Sequence, residues 1–156
     1  FPDLSKYKEY REPFIGGGSM AIYIAKKYPH IKIWVNDLYE PLFNFWCQVQ
    51  ESGKDLHDTL LDVKRSNDDP NLARDIFNKY KEHVNDKEIP PFNRAVAFYV
   101  VNKCSFSGLT ESSSFSRQAS ISNFSVRGIE KLPGYQEIIS NWNITNYSYE
   151  YIMEQL

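Results

Sequence analysis

The sequence predicts an α/β fold in which a parallel sheet carries a mainly helical insertion. A strand pattern, three glycines, a helix pattern and a second strand pattern follow one another over residues 10–35, which is the order of a βαβ unit. Helical periodicity then dominates residues 41–103, and this block is too long for a single crossover. These two observations define a sheet with an inserted helical unit.

The βαβ unit is predicted from local patterns. Residues 10–15 and the alternating, β-branched residues 31–35 are the two strands. Residues 19–28 have apolar side chains at helical spacing, with Ser19 as the expected N-cap. Lys26 and Lys27 suit the negative end of this helix, and Pro29 ends it.

The remaining elements are predicted in the same way. Helices are expected at residues 41–49, 56–63, 72–80 and 92–101, followed by a serine-rich loop over 105–125. A helix at 135–141, a strand at 142–145 and a helix at 148–155 complete the chain. We therefore predict a sheet domain from residues 1–50 and 135–156, and a helical insertion over residues 51–134.

Composition narrows the class of protein. The chain has 156 residues, 42% apolar residues and a net charge of −2, so a core is expected and any nucleic-acid surface must be local. The two cysteines and three histidines are scattered, and no metal site is predicted. No apolar run has the length of a membrane span and no signal peptide is recognised, so we expect a cytoplasmic protein. Because the chain starts at Phe1 rather than at a methionine, we expect it to be part of a longer protein.

The glycine run indicates a ligand that carries no pyrophosphate. Gly16, Gly17 and Gly18 do not fit the GxGxxG fingerprint, and no Gly-Lys-Ser/Thr follows them. A ligand with a ribose and no phosphate stays open, because Asp37 ends the second strand where a carboxylate can accept ribose hydroxyls. The alternative is a plain glycine turn, with Asp37 capping the next helix.

Three segments resemble one known family. The stretch EPFIGGGS from residue 12, NDL from residue 36 with LFNFW from residue 42, and NKCSFSGL from residue 102 are similar to the motifs of the Dam-type, or D12 class, adenine-specific DNA methyltransferases. The resemblance implies a Rossmann-like methyltransferase sheet, incomplete here, with a helical DNA-recognition insertion. It also implies S-adenosyl-L-methionine as cofactor and N6 of adenine in double-stranded DNA as the methyl acceptor, in a protein of bacterial or phage type.

The resemblance carries over a set of cofactor residues. The glycine backbone would pass under the methionyl chain, Asp37 would hold the ribose, and Ser148 and Tyr149 would lie beside the adenine. Tyr149 has an alternative reading as an ordinary residue of an amphipathic helix. The full implied set is Phe14, Gly16, Gly17, Gly18, Ser19, Asp37, Ser148 and Tyr149.

A second set is implied for DNA. Lys103 and Arg117 would contact phosphates or bases, and Phe106 or Phe115 could wedge between bases when one is extruded. The alternative is a surface loop whose phenylalanines dock back onto the helices. The predicted DNA-contacting residues are Asn102, Lys103, Ser105, Phe106, Ser107 and Arg117.

The family's catalytic motif, [D/N/S]PP[Y/F/W], is not found. Asp69-Pro70 lacks the second proline, and in Ile89-Pro90-Pro91-Phe92 the isoleucine cannot accept a hydrogen bond, so the prolines are expected to start a helix. No catalytic residue is assigned, and the chain as printed is not expected to transfer methyl groups. Two alternatives are a non-catalytic DNA- or cofactor-binding relic of a methyltransferase and another nucleotide-binding Rossmann-type enzyme, such as a dehydrogenase.

Overall fold

The computed structural model describes residues 2–66, 69–105 and 114–155. Its strands are β1 (Glu9–Glu12), β2 (Lys32–Asn36) and β3 (Asn143–Thr145). Its helices are α1 (Ser19–Lys27), α2 (Glu40–Ser66), α3 (Pro70–His83), α4 (Pro91–Cys104), α5 (Arg117–Ser122), α6 (Val126–Ile129), α7 (Leu132–Ile138) and α8 (Tyr149–Glu154). None of these helices is long and apolar enough to cross a bilayer.

The three strands form one parallel sheet in the order β1-β2-β3. Glu9 of β1 pairs with Lys32 of β2, and Asn36 at the end of β2 pairs with Thr145 at the end of β3. The predicted parallel βαβ unit is confirmed. Because all three strands run the same way, their carboxyl ends meet at one edge of the sheet.

The start of α1 differs from the prediction. Gly18, not Ser19, is the N-cap residue; its φ is +75°, and no side chain caps the helix. Ser19 is the first helical residue and its side chain faces solvent. The left-handed conformation at Gly18 lets the chain turn directly from the glycine loop into the helix. The lysines of the last turn lie where the sequence placed them.

The predicted helices at residues 41–49 and 56–63 are one helix, α2, with non-helical backbone angles at Ser52. The kink precedes Gly53, where an added Cβ would lie 2.7 Å from Cβ of Gln136. The absence of a Cβ at Gly53 therefore allows α2 and α7 to pack closely. Residues 50 and 51, the predicted domain boundary, lie inside this helix. The division into two domains stays a prediction.

Helix α4 is the centre of the hydrophobic core. It is buried on nearly all sides, including Ala95, Ala97 and Val101. Its buried cation, Arg94, donates two hydrogen bonds through Nη1 to the Glu40 carboxylate at 2.8 and 3.1 Å. Lys87 completes the cluster at 2.9 Å from Glu40. This ion cluster fixes the start of α2 against the start of α4.

The serine-rich region contains more structure than predicted. Residues 106–113 lie outside the described part of the chain, but α5 lies within the predicted loop and α6 begins directly after it. The side chain of Ser116 accepts from the amide of Ala119, and that of Ser125 accepts from the amide of Gly128, each at 3.1 Å. Serine therefore caps two short helices here, which corrects the prediction of one continuous loop.

Candidate cofactor and nucleic-acid site

The predicted cofactor residues all lie at the carboxyl edge of the sheet. Residues 14–19 follow β1, Asp37 follows β2, and residues 148 and 149 follow β3. The parallel topology alone brings these three segments together, although more than a hundred residues separate the first from the last. This edge is where open α/β sheets bind ligands.

Asn36 ties the three segments to one another. It is 1% exposed, and its amide nitrogen donates to the carbonyls of Pro13 at 3.2 Å and Tyr147 at 2.8 Å. Its amide oxygen accepts from the Tyr147 amide and from the Thr145 hydroxyl, both at 2.8 Å. One buried side chain at the end of β2 thus fixes the segments that follow β1 and β3.

Asp37 is held at the same edge by backbone contacts. Its Oδ1 accepts from the amide of Tyr39 at 2.9 Å, and its own amide donates to the carbonyl of Thr145 at 3.2 Å. Asn146 donates to the carbonyl of Asp37 at 2.8 Å. The first bond forms a short turn before α2, which begins at Glu40, so Asp37 shapes the approach to the helix and does not cap it. The same bond also fixes the carboxylate at the sheet edge.

The glycine loop is held by Trp46 of α2. The indole Nε1 donates to the carbonyl of Gly16 at 3.1 Å. A Cβ added to Gly18 would lie 2.7 Å from Cζ2 of this ring, so the loop and the indole are in close contact. Gly18 is therefore required both by its positive φ and by the tryptophan.

Gly16 and Gly17 have the opposite environment. Both are exposed, and a Cβ added to either would meet no atom within 4 Å. The backbone here is open to close approach by another molecule. Together with the Asp37 carboxylate at the end of β2, this open backbone fits a ligand of nucleoside type.

The aromatic residues of the predicted cofactor set meet across the sheet edge. The ring centroids of Phe14 and Tyr149 are 5.7 Å apart, and both rings are largely exposed. Ser148 occupies the N-cap position of α8, but its side chain makes no capping hydrogen bond. Exposed aromatic rings provide a surface on which a planar base can stack.

A cavity of about 550 Å³ lies beside the glycine loop. It joins Gly16 and Gly17 to Asn102 and Lys103 at the end of α4, so residues predicted for the cofactor and for DNA share one cavity. The other lining residues are Tyr39, Leu42, Phe45, Trp46, Phe98, Tyr99, Asn123, Gly128, Lys131, Leu132 and Tyr135.

The cavity combines aromatic walls with two cations. Nζ of Lys103 lies 5.6 Å from the centroid of the Tyr99 ring. Burial, and secondarily the charge of Lys131, lower the pKa of Lys103 below that of a surface lysine. Burial, and secondarily Tyr135, raise the pKa of Tyr99 to about 12, which keeps its hydroxyl protonated at neutral pH. Such walls can stack a base while the lysines attract a phosphate.

The predicted DNA-contacting residues differ in their exposure to solvent. Arg117 is exposed at the first position of α5. Ser105 is fully buried, and its hydroxyl donates to the carbonyl of Asn102 at 3.0 Å. This bond holds Ser105 at the base of the loop, and its predicted contact with a duplex stays a prediction. Phe106 and Ser107 lie outside the described residues.

Phe115 docks onto the helices. Its ring centroid is 5.6 Å from that of the buried Phe77 on α3. An antiparallel bridge to Ser105, together with the hydrogen bond from the Ser116 amide to the Cys104 carbonyl at 2.9 Å, closes the loop at its base. For Phe115 the docked alternative is confirmed, and the wedge hypothesis is left with Phe106 alone.

The structure also shows what sequence reasoning missed. Trp46 and Asn36 fall within the motifs that carry the family resemblance, but they were not predicted as site residues. Tyr99 and Tyr135 lie in ordinary helical patterns, and no local signal distinguishes them. The interpretation of Pro90 and Pro91 is confirmed, because Pro90 is the N-cap and Pro91 the first residue of α4. Over the described residues no group of three or more His, Cys, Asp or Glu side chains could hold a metal ion.

Comparison with known proteins agrees with this geometry. Over 111 residues the chain is 29% identical to the type II methyltransferase M.MjaIII of Methanocaldococcus jannaschii. The match covers 65% of this chain and 37% of that protein, so the chain spans little more than a third of its relative. The family model described as D12 class N6 adenine-specific DNA methyltransferase matches residues 1–156. The chain belongs to the D12 class of N6 adenine-specific DNA methyltransferases.

Proposed function

We propose that this chain supplies the cofactor site and part of the DNA-binding surface of a site-specific adenine-N6 DNA methyltransferase. The observation that carries the proposal is the shared cavity, where the open glycine backbone at Gly16 and Gly17 faces Asn102 and Lys103. A methyl transfer between a small cofactor and a base in a duplex needs the two ligands to meet at such a place. Family membership supports the same reaction class.

S-adenosyl-L-methionine is the proposed cofactor, and it would supply a methyl group already activated by a sulfonium. Asp37 would accept hydrogen bonds from the ribose hydroxyls. Phe14 and Tyr149 would stack on the adenine, and the backbone at Gly16 and Gly17 would lie under the methionyl chain. The absence of a phosphate in this ligand agrees with a glycine loop that matches neither pyrophosphate fingerprint.

The target adenine is proposed to approach through the cavity from the side of α4. A base buried in a duplex has to be extruded before its amino group can react. The aromatic walls at Tyr99 and Tyr135 can receive a planar ring, and Lys103 and Lys131 can attract the phosphate that follows it. The neutral hydroxyl of Tyr99 does not repel that phosphate.

The sequence leaves a second candidate function. The printed residues contain no [D/N/S]PP[Y/F/W] motif to accept hydrogen bonds from the adenine amino group. A protein without such a motif would be a non-catalytic relic that binds DNA or the cofactor without transferring the methyl group. Both candidate functions involve ligand binding, so binding is tested before catalysis.

The experiment is a pair of titrations on the protein that carries this chain. Calorimetry with S-adenosylhomocysteine tests the cofactor site, and NADH serves as the control for a dehydrogenase. Fluorescence anisotropy with several labelled duplexes tests DNA binding. We expect S-adenosylhomocysteine and DNA to bind and NADH not to bind. Binding of NADH, or of neither S-adenosylhomocysteine nor DNA, would contradict the proposal, and methyl transfer to a bound duplex would reject the non-catalytic alternative.

A further inference from the structure

A second groove lies away from the shared cavity, between α3 and the segment that follows residue 113. Its volume is about 410 Å³, and it is open to solvent. The described residues that line it are Arg74, Phe77, Asn78, Lys81, Ser114 and Phe115. Two of these are cations, one is an amide, one is a hydroxyl, and none is a carboxylate.

The spacing on α3 places the polar groups on one face. Arg74, Asn78 and Lys81 are separated by four and three residues, so their side chains lie above one another along the helix. The acidic residues Asp75 and Glu82 each follow one of the cations and lie about 100° around the helix from it. The groove face therefore presents positive charge and hydrogen-bond donors together.

Two aromatic rings, Phe77 and Phe115, form the floor of the groove and contact its two cations. The guanidinium carbon of Arg74 lies 5.5 Å from the centroid of Phe115, and Nζ of Lys81 lies 6.0 Å from that of Phe77. Phe77 is buried and Phe115 packs against it, so this floor belongs to the core. A guanidinium that lies over a ring retains donors at its edge for an anion. Such partly ordered cations lose less entropy when they bind a phosphate oxygen.

We propose that this groove binds a backbone phosphate of double-stranded DNA, as a contact separate from the shared cavity. Arg74 and Lys81 would neutralise the phosphate, and Asn78 and Ser114 would donate hydrogen bonds to its oxygens. The groove opens beside the segment that leads to Arg117, so one duplex could contact both. This inference rests on the proposed function, because it assumes that the ligand is DNA.

A phosphate contact has a recognisable thermodynamic signature. It carries no sequence information, so losing it should weaken binding to all duplexes equally. Each lost contact should also lower the slope of log K against log salt by about one, which corresponds to about eightfold weaker binding near 0.1 M salt. Loss of a base contact would instead change the ranking of duplex sequences.

The test compares Arg74→Gln, Lys81→Gln and the double variant with Lys79→Gln. Lys79 is an exposed cation on the same helix that does not line the groove, so its variant controls for net charge. Duplex affinity is measured over a salt series on several sequences, with S-adenosylhomocysteine affinity and thermal stability measured in parallel. Inorganic phosphate at constant ionic strength is the competitor that tests for a site specific to free phosphate.

We expect a uniform loss of duplex affinity and a smaller salt slope for the groove variants, with Lys79→Gln close to wild type. Cofactor affinity and stability should be unchanged, and inorganic phosphate should compete weakly. If the groove variants bound every duplex like wild type, the proposed phosphate contact would be wrong while the proposed function stayed intact. Efficient displacement by inorganic phosphate would assign the groove to a free anion and overturn the DNA contact. A wild-type protein that binds no duplex would overturn both.

Discussion

The indole nitrogen of Trp46 donates to the carbonyl of Gly16 at 3.1 Å, while its ring lies where a side chain on Gly18 would have to be. The helix after β2 therefore holds the loop after β1 through two contacts. Gly17 lies between these two contacts and remains open. The loop is thus fixed at both ends and accessible in the middle, which is the arrangement that backbone recognition of a ligand requires.

This relationship predicts opposite effects at adjacent glycines. Gly18→Ala would place a Cβ 2.7 Å from Trp46 at a φ of +75°, and we expect a loss of about 1–3 kcal/mol in unfolding free energy. Gly17→Ala meets no atom within 4 Å and should change stability little. Its methyl group should nevertheless obstruct a ligand that lies on the loop.

Urea unfolding and calorimetry with S-adenosylhomocysteine separate the two effects. Gly17→Ala should keep the unfolding midpoint and lose cofactor affinity, while Gly18→Ala should lower the midpoint. If Gly17→Ala bound the cofactor product like wild type, the ligand would not approach this backbone.

Asp37→Ala should weaken the binding of S-adenosylhomocysteine. The loss of hydrogen bonds between the carboxylate and the ribose hydroxyls should cost about 1–3 kcal/mol of affinity. The variant also loses the bond from the Tyr39 amide, which is a structural contact independent of the ligand. Asp37→Asn keeps an acceptor for that amide and is the matched control for the turn.

Affinity and unfolding free energy are therefore measured for both variants. We expect Asp37→Ala to lose both, and Asp37→Asn to lose affinity with stability largely kept. Wild-type affinity in Asp37→Ala would remove this residue from the site.

The sequence predicted the elements whose signals are local. The βαβ unit follows from alternation, glycines and terminal lysines, all within residues 10–35. The cap was assigned to the wrong residue because Ser19 is a good N-cap by type, whereas the loop requires the left-handed backbone of Gly18. Helix α2 was divided in two because the small residues near Ser52 and Gly53 look like a break, although they serve the packing against Gln136.

The site was predictable only in part, because some of its residues are brought together by tertiary packing and carry no local signal. Parallel strands place their carboxyl ends together, so the edge could be inferred from element order alone. The cavity depends on how separate helices pack, and Trp46, Tyr99 and Tyr135 come from three of them. Their chemistry is that of ordinary core residues, and their convergence is visible only in three dimensions.

The ion cluster around Glu40 predicts a pH dependence of stability. Burial alone raises the pKa of this carboxyl, but hydrogen bonds from Arg94 and Lys87 outweigh it and lower the pKa below the ordinary 4.5. The cluster therefore stabilises the fold above about pH 4.5, and this contribution is lost as the pH falls through the lowered value.

Glu40→Gln should remove this dependence and leave the buried Arg94 without its carboxylate. We expect a loss of about 1–3 kcal/mol in unfolding free energy at neutral pH. This loss should shrink as the pH falls below about 4.5, where the wild-type carboxylate becomes protonated. Urea unfolding over a pH series measures it, with Glu137→Gln, an exposed acid on α7, as the control. If the difference in unfolding free energy between wild type and Glu40→Gln were the same at all pH values, the Glu40 carboxylate would not be the source of the pH dependence.

Arg117→Ala should weaken DNA binding. If the side chain reads a guanine, we expect a loss of about 1–3 kcal/mol and relaxed selectivity at one position. If it holds a phosphate, the loss should be similar for all duplexes and the salt slope should fall by about one. Anisotropy titrations over several duplexes and salt concentrations distinguish these outcomes, with Lys79→Ala on the exposed face of α3 as a charge-matched control. Unchanged affinity for every duplex would exclude Arg117 from the interface.

The central claim is that cofactor and DNA meet at the glycine loop. The most direct measurement is amide chemical-shift mapping on ¹⁵N-labelled protein, first with S-adenosylhomocysteine and then with a duplex. We predict that S-adenosylhomocysteine shifts the amide signals of residues 14–19, Asp37 and Tyr149, and that the duplex then shifts those of Asn102, Lys103 and the glycines. Cofactor shifts confined to another part of the chain, or duplex shifts that leave the shared cavity unchanged, would contradict it.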